Sequence, residues 1–314
     1  MSGEVSPKYL AGMGVLSYFT PAALILLTFF LIYHSIRRNW WQACLALLIL
    51  LTAFSSIRAS FAWNFLPHSD HETAPLKVLS YNVRVFNLYQ TYHNKSQLTQ
   101  SGRFIKWLAE EDADVKCVQE FHHQAQSSVF NTLSHIGGKK GYQHQISYED
   151  GLKKSPQYFG VAIFSRLPVL ESGDFPLNIH WTKRGVYMDI LFQKDTIRVV
   201  NVHMLSLSLD ENRIFAASRS LSQRLDTYLD LYHTLEDGFV KRNQQLSFLL
   251  RFLKKSPYPI ILCGDFNSTP YTYVYKKLNR DFENAFVQAG WGFGFSYRGR
   301  IPFLRIDHQF HSPT

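Results

Sequence analysis

Residues Ile261–Pro270 read ILCGDFNSTP, an apolar run followed at once by a glycine, a carboxylate and an amide. The apolar part predicts a buried β-strand over Pro259–Leu262, because it is bounded by residues that end strands. We expect Gly264 to let the chain turn sharply after this strand, so that Asp265 and Asn267 face one cleft. An ordinary Asx turn explains the same residues without any function. The proline that ends the run is predicted to open the next helix at its first position.

Four other short segments also place polar side chains at the ends of predicted strands. In chain order they are SYNVRVFN (Ser80–Asn87), KCVQEF (Lys116–Phe121), NVHM (Asn201–Met204) and RIDH (Arg305–His308). Side chains at the ends of neighbouring strands can converge on one edge of a sheet. The five segments together therefore predict a single polar cleft.

Short β-rich runs alternate with amphipathic helices from Lys77 onwards. Strands are predicted over Lys77–Tyr81, Val115–Gln119, Gly160–Phe164, Val186–Phe192, Ile197–His203 and Pro259–Leu262. Helices are predicted over Thr99–Glu111, Gln124–Ile136 and about Asp210–Lys255. Because the alternation lacks the strict period of a doubly wound sheet, we expect packed sheets with helices outside.

In this order, the five segments resemble the endonuclease/exonuclease/phosphatase family of deoxyribonuclease I-like, metal-dependent phosphoesterases. The resemblance covers nearly all of Lys77–Asp307, and the strings GDFN and QE are its most specific parts. It implies an α/β fold, a four-layer sandwich of two packed, mainly antiparallel sheets with outer helices. It also implies hydrolysis of a phosphodiester or phosphomonoester bond with Mg²⁺, or alternatively Mn²⁺, as the cofactor.

Hydrolysis of a phosphoester requires groups that neutralise the phosphate, place a water in line and protonate the leaving oxygen. Mg²⁺ suits the first task because it prefers oxygen ligands and is held by one or two carboxylates plus substrate phosphate. The carboxylate of Glu120 and the amide oxygen of Asn82 are the candidate metal ligands. The alternatives are a solvated strand-end charge for Glu120 and a turn-forming residue for Asn82.

The matching family positions imply roles for three further residues, and guanidinium chemistry adds two candidates. Asp265 would position or deprotonate the attacking water, and Asn267 would donate to a phosphate oxygen. His203 would act as the general acid, although a lone histidine at a strand end is more often structural. Arg184 and Arg242 are candidate phosphate contacts through their planar guanidinium groups. Surface solvation and a helix-face charge are the alternatives for these two arginines.

The family pattern continues past the RID segment to an S-D-H-x-P string, whose histidine is oriented by the aspartate of the RID segment. No Ser-Asp-His string follows the RID segment, because the one such string in this sequence, Ser69–His71, lies in the predicted linker. We therefore expect Asp307 to lack the histidine that it would orient. His308 is a poor substitute, because adjacent strand residues point to opposite faces. Two hypotheses stay open: an active phosphoesterase, and a catalytically impaired member that binds a phosphate-bearing ligand or a partner.

Two uncharged runs, Tyr9–Ile36 and Asn39–Ile57, precede this region. The first is longer than the ~20 apolar residues needed to cross a bilayer, and the second is just long enough. Arg37 and Arg38 separate them, so the pair predicts a hairpin of two transmembrane helices. The alternative for the first run is a signal peptide, but the apolar stretch is too long and no cleavage site follows it.

The two arginines between the runs predict the topology. By the positive-inside rule their loop is cytoplasmic, which places the N-terminus and everything after about Trp63 on the outer face. We therefore expect a multi-pass protein of a bacterial-type inner membrane, with its catalytic domain on the periplasmic side. The predicted boundaries are a membrane anchor over 1–63, a linker over 64–76 and the catalytic domain over 77–314.

Amino-acid composition and net charge limit the protein class and the kinds of partner that this chain can bind. A hydrophobic content of 46% and a charged content of 18% exclude a disordered tail and a small disulfide scaffold. The net charge of +9 suits a polyanion, so the substrate stays open between nucleic acid and a phospholipid or small phosphodiester. The bilayer is the other expected partner, and no protein partner is inferred.

The cysteines and one aromatic-rich stretch carry further expectations. Cys44, Cys117 and Cys263 fit no metal or redox spacing and are interpreted as small buried hydrophobes. The aromatic-rich stretch GWGFGFSYRGR, Gly290–Arg300, is interpreted either as a substrate loop or as a packing loop with glycine turns.

Overall fold

The computed structural model describes residues 3, 6–7, 12–64, 75–91, 95–138, 141–147, 157–178, 184–206, 221–301 and 303–313. They form two compact bodies, each assembled from separate stretches of chain. The first body comprises Met1–His68, Leu205–Asn243 and Asn267–Ile306, and the second comprises Ser69–Met204, Gln244–Phe266 and Asp307–Thr314. Two stretches of the predicted catalytic domain therefore group with the N-terminal region. Most of the predicted linker lies outside the described residues.

The described secondary structure confirms the mixed α/β class. The helices are α1 (Gly12–Leu16), α2 (Thr20–Ile36), α3 (Trp40–Thr52), α4 (Phe54–Ser60), α5 (Leu88–Thr91), α6 (Lys95–Glu110), α7 (Leu221–Leu253), α8 (Tyr273–Asp281) and α9 (Ala285–Ala289). The strands are β1 (Phe61–Trp63), β2 (Val78–Asn82), β3 (Val115–Gln124), β4 (Gln143–Ile146), β5 (Gln157–Ser165), β6 (Val169–Pro176), β7 (Arg184–Phe192), β8 (Asp195–His203), β9 (Ile260–Asp265), β10 (Glu283–Asn284), β11 (Trp291–Phe293) and β12 (Asp307–His311).

All six predicted strands are confirmed, but two helix predictions are wrong in part. The helix over Gln124–Ile136 is absent apart from a π-helical turn at Leu133–Gly137, because β3 continues through Gln124 in pairing with β5. The proline expected to open a helix, Pro270, lies in a turn closed by a hydrogen bond from Thr272 N to Thr269 O, and α8 begins only after that turn. Residues 210–220 of the long predicted helix lie outside the described part of the chain.

The second body is the predicted sandwich. Its smaller sheet has the strand order β2-β3-β5-β4, and within this body the larger sheet has the order β12-β9-β8-β7-β6. Most neighbouring strands are antiparallel, whereas β2 with β3 and β8 with β9 are parallel. Apolar side chains such as Val115, Ile163 and Met188 fill the space between the sheets. The four-layer architecture thus starts from two sheets that share one apolar interior.

Helices cover the outer faces of both sheets. Ile105 and Leu108 of α6 pack against Val118 of the smaller sheet. On the larger sheet, Phe252 of α7 stacks on Phe175 of β6 with ring centroids 3.8 Å apart. These contacts complete the helix, sheet, sheet, helix layering in the second body.

The N-terminal apolar runs form two different structures in the first body. Gly14–Ile36 is a 23-residue helical segment of mean hydropathy 2.2, of which 6% is buried. It is long and apolar enough to cross a membrane. In the second run, α3 and α4 meet at a 62° bend. Because α3 has 13 residues, it extends about 20 Å, less than the ~30 Å hydrocarbon core, so a second span remains a prediction.

Two of the three cysteines are buried as expected. Cys117 and Cys263 lie in the apolar layer between the two sheets. Cys44 is exposed, so that part of the prediction is wrong. The reason is that α3 presents most of its apolar side chains, Cys44 among them, outward rather than to a protein core.

A buried ion pair joins β7 and β8 on the helix side of the larger sheet. Arg198 Nε and Nη2 donate to Asp189 Oδ1 and Oδ2, each at 2.7 Å, and the side chains are 9% and 1% exposed. The guanidinium lies 4.6 Å from the centroid of the Tyr187 ring. The hydrogen bonds to Asp189 raise the pKa of Arg198. The hydrogen bonds between Arg198 and Asp189 therefore replace the water contacts that each charged group loses on burial.

We expect Asp189→Asn to lower the free energy of unfolding by about 3 kcal/mol, because it leaves a buried guanidinium without its counter-ion. Chemical denaturation of the full chain in a mild detergent measures this change. Asp195→Asn, at the exposed start of β8, is the matched control and is expected to shift stability by less than about 0.5 kcal/mol. Equal stability of the two variants would contradict the prediction.

Candidate metal and phosphate site

Strand ends of both sheets bring four of the predicted site residues together in the second body. In the parallel pair β2 and β3, Asn82 lies beside Gln119, the residue before Glu120. In the parallel pair β8 and β9, His203 lies beside Asp265. Since the carboxyl ends of parallel strands meet at one edge of a sheet, each pair presents its polar residues in one direction. The candidate site forms where these two edges meet.

Glu120, His203 and Asp265 form a compact cluster. One metal-ligating atom from each of the three lies within 4.8 Å of the others. Asn82 Nδ2 donates to Glu120 Oε1 at 3.0 Å and to Asp265 Oδ2 at 2.9 Å. Asp265 is 4% exposed and His203 is 8% exposed. Two carboxylates held this close together repel when both are ionised, so the cluster favours a bound cation.

The amide of Asn82 forms a turn and also contacts the carboxylates of the cluster, which are the turn-forming and site roles that the sequence suggested. Its Oδ1 accepts a hydrogen bond from the backbone N–H of Arg84 at 3.0 Å, which is an Asx turn after the strand. Its Nδ2 holds the two carboxylates in place. A role for its oxygen as a metal ligand stays a prediction.

Glu120 reaches the cleft because β3 carries a bulge. The register of β3 against β5 shifts between Val118 and Phe121, and Glu120 has a φ of 48°. Before the bulge, Cys117 faces the inter-sheet core and Val118 faces the α6 side, yet Phe121 faces the α6 side too. Glu120 is thus the extra residue that belongs to neither apolar face. Its left-handed backbone costs roughly 1–2 kcal/mol, and bulges that re-aim a side chain are frequent beside active sites.

A buried network beneath the cluster was not assigned from the sequence. Gln119 Nε2 donates to Asn201 Oδ1 at 2.7 Å, and Asn201 Nδ2 donates to Val118 O at 3.0 Å and Ala162 O at 2.9 Å. Both amide side chains are fully buried, and they join β8 of the larger sheet to β3 and β5 of the smaller one. The only sequence signal was their place in the strings QE and NVH. Their hydrogen bonds fix the strand ends that carry Glu120 and His203.

The role of Gly264 differs from the predicted sharp turn, because this residue still lies inside β9. It has a φ of 156°, and a Cβ at this position would lie 2.1 Å from Val202 O. Glycine is therefore required for the close approach of β8 and β9. That approach sets His203 beside Asp265.

Asp307 and His308 occupy opposite faces of β12. Asp307 pairs with Asp265 in the antiparallel register of β12 and β9, so a third carboxylate stands beside the cluster. His308 pairs with Gly264, is 4% exposed, and its ring centroid lies 5.8 Å from that of Phe266. Strand alternation therefore turns the imidazole of His308 away from the carboxylate of Asp307.

Three other predicted site residues are not placed in this cluster. Asn267, with a φ of 47°, and Arg242 belong to the first body. There the buried Arg242 donates from Nη1 to Leu205 O at 3.2 Å, and its guanidinium lies 5.0 Å from the Phe239 ring. Arg184 begins β7, and its side chain lies outside the described part of the structure. Phosphate contacts by these three residues stay predictions.

Two histidines follow the bulge on β3 and are buried against aromatic rings. His122 stacks on Phe159 at 4.6 Å and His123 on Tyr158 at 5.5 Å. Burial lowers the pKa of His122 to about 4 and also lowers the pKa of His123. Both imidazoles are therefore neutral at pH 7 and add no positive charge beside Glu120.

Comparisons with known proteins agree with this geometry. A model described as the Endonuclease/Exonuclease/phosphatase family matches residues 79–314. Residues 1–60 match a second model, described as a domain of unknown function. No curated protein gives a significant match to the sequence.

Solved structures share the fold at low sequence identity. An endonuclease/exonuclease/phosphatase family protein from Bacteroides thetaiotaomicron is 16% identical, with 77% of this chain and 85% of that chain covered, at a TM-score of 0.52. A protein of the same description from Bacteroides vulgatus is 16% identical, with coverages of 77% and 88% and a TM-score of 0.53. A Bacteroides thetaiotaomicron mannosyl-6-phosphatase is 15% identical, with coverages of 76% and 86% and a TM-score of 0.50. Because the family model spans most of the chain, the protein belongs to the endonuclease/exonuclease/phosphatase family.

Proposed function

We propose that the protein is a membrane-anchored phosphoesterase that uses a divalent metal to hydrolyse phosphodiester or phosphomonoester bonds. The observation that carries this proposal is the cluster of Glu120, His203 and Asp265, whose ligand atoms lie within 4.8 Å of one another. The cluster stands at the strand ends of a fold whose family consists of phosphoester hydrolases.

The donor set fits Mg²⁺ or Mn²⁺. Both ions prefer carboxylate and amide oxygens, whereas structural zinc sites use mainly cysteine and histidine. Glu120 and Asn82 would hold the ion, next to the carboxylate of Asp265. When bound, such an ion neutralises phosphate charge and polarises the phosphoryl oxygen.

The side chains of the cluster supply the proton transfers. In this proposal Asp265 takes a proton from the attacking water, and its carboxylate is oriented by the hydrogen bond from Asn82 at 2.9 Å. His203 gives a proton to the leaving oxygen. Its Nε2 lies 3.9 Å from Glu120 Oε1, which places the imidazole beside the proposed metal ligand. Asn267, Arg184 and Arg242 are proposed to contact phosphate oxygens.

The apolar helix Gly14–Ile36 supports the membrane anchor, because few of its residues are buried within the protein. We propose that α3 and α4 complete a second span and that the loop with Arg37 and Arg38 is cytoplasmic. The catalytic cluster then lies on the outer, periplasmic side of a bacterial-type inner membrane. Nucleic acid and a phospholipid or small phosphodiester are both proposed as substrate classes, since the net charge of +9 attracts each of them.

The first prediction concerns Glu120. Glu120→Gln keeps the shape of the side chain but removes its charge, so we expect metal-stimulated hydrolysis of bis(p-nitrophenyl) phosphate to fall by about 100-fold or more. Glu110→Gln, at the exposed end of α6, is the matched control and is expected to retain full activity. A chelator is expected to abolish turnover, and added Mg²⁺ or Mn²⁺ to restore it.

Full activity of Glu120→Gln, or turnover that survives the chelator, would contradict the metal role. Metal or phosphate binding without turnover in the folded full chain would instead support the second hypothesis, an impaired member that only binds its ligand.

The second prediction concerns the network beneath the cluster. We expect Asn201→Leu and Gln119→Leu each to lower kcat about tenfold with little change in KM, because they disturb the placement of catalytic groups rather than substrate contacts. Since both residues belong to one network, the double variant is expected to lose no more than about the larger single effect. Steady-state kinetics of the four proteins measure this coupling. Additive losses, or changes confined to KM, would show that the two amides act independently of the site.

A further inference from the structure

The first body contains a basic cavity, which we call the α4–α8 cavity. Its volume is ≈430 Å³, within the range of small-molecule sites. Arg58 of α4 and Lys276 and Arg280 of α8 line it, and no acidic residue is found among the described residues of the lining. None of these residues belongs to the candidate catalytic cluster. The cavity therefore needs its own explanation.

The guanidinium of Arg58 has hydrogen-bond donors that its neighbours do not fully satisfy. Its Nη2 lies 3.3 Å from Val287 O and 3.4 Å from Asn64 Oδ1, and both acceptors are neutral. Its Nε is buried and has no hydrogen-bond partner among the described residues. A buried donor on a charged group costs free energy when it is unsatisfied. An anionic oxygen in the cavity would supply both an acceptor and a counter-charge.

Helix α8 contributes two further basic residues to the lining. Lys276 and Arg280 are four residues apart on α8, so they lie on one face of the helix. Phe54 and Val287 add apolar surface to the same cavity. A ligand with an anionic head and an apolar body matches this lining.

The position of the cavity in the chain indicates the source of such a ligand. Its α4 wall follows the bend after α3 and forms the end of the proposed second span. The chain then enters β1, which pairs with β11. Trp291 and Phe293 of β11 are 61% and 64% exposed. Exposed tryptophan and phenylalanine beside an apolar helix are typical of the membrane interface.

We propose that the α4–α8 cavity binds the phosphate headgroup of an anionic membrane lipid. Arg58, Lys276 and Arg280 contact the phosphate oxygens, and Phe54 and Val287 pack beside the glycerol and first acyl carbons. This inference rests on the proposed membrane anchorage and is independent of hydrolysis at the catalytic cluster.

The test uses the full chain in a neutral detergent, titrated by calorimetry with short-chain dihexanoyl phosphatidylglycerol. We expect saturable binding that weakens with salt, and weaker binding of dihexanoyl phosphatidylcholine and of glycerol phosphate. Lys276→Gln/Arg280→Gln is expected to weaken phosphatidylglycerol binding about tenfold or more. Lys254→Gln/Lys255→Gln removes the same charge at exposed positions after α7 and is expected to change nothing.

Equal binding of the two lipids, or equal losses in the two double variants, would overturn the proposal. Glycerol phosphate binding as tightly as the lipid would overturn the lipid source and assign the cavity to a soluble phosphoester. The double variant Lys276→Arg/Arg280→Lys conserves both charges and is expected to keep its affinity for phosphatidylglycerol. This result would show that loss of charge, and not a change in structure, weakens binding in the neutral variant. If the first double variant does not fold, Arg280→Gln alone at its exposed site replaces it.

Two measurements on the same preparations separate this inference from the proposed function. Carbonate extraction of membranes reports the anchorage, and hydrolysis of the chromogenic diester reports the catalytic cluster. Retained anchorage and hydrolysis without selective lipid binding would overturn only the role of the α4–α8 cavity.

Discussion

The close approach of β8 and β9 is the constraint on which the rest of the site depends. At Gly264 the neighbouring strand is so near that a Cβ would lie 2.1 Å from Val202 O. Only this spacing and register set His203 beside Asp265, and β12 then sets Asp307 on the other side of Asp265. A register shift of one residue would turn these side chains to the opposite face of the sheet. The absence of one side chain therefore determines where three ionisable groups meet.

The second requirement is that the smaller sheet delivers a carboxylate to the same place. The bulge at Glu120 frees this residue from both apolar faces, and the Gln119–Asn201 hydrogen bond holds the two sheets together directly below it. The packing free energy of the sandwich thus brings two like charges within reach of one amide, that of Asn82. A cation that satisfies these oxygens would add its binding free energy to the stability of the fold.

The sequence predicted the strands and site residues that are determined by neighbouring residues in the chain. Apolar runs between turn residues marked six strands, and strings such as GDFN marked Asp265 and its neighbours. The edge strand β6 was missed because its sequence, VLESGDFP, gives no apolar alternation and only one of its residues, Phe175, is buried. Asn201 and Gln119 were missed because a buried amide looks like any polar residue until its partner is known, and these two are 82 positions apart. The bulge at Glu120 was not predicted because it is a property of the pairing between β3 and β5 and leaves no pattern in the sequence of β3 alone.

The interleaving of the two bodies has a consequence for biosynthesis. The chain passes from one body to the other five times, and β9 is translated before the whole stretch Asn267–Ile306, which belongs to the other body. Its pairing partner β12 follows only afterwards. During vectorial synthesis the nascent larger sheet therefore carries an open hydrogen-bonding edge while the intervening segment is being made, and such edges recruit other strands. A contiguous domain would not expose this edge for the time that it takes to synthesise forty further residues.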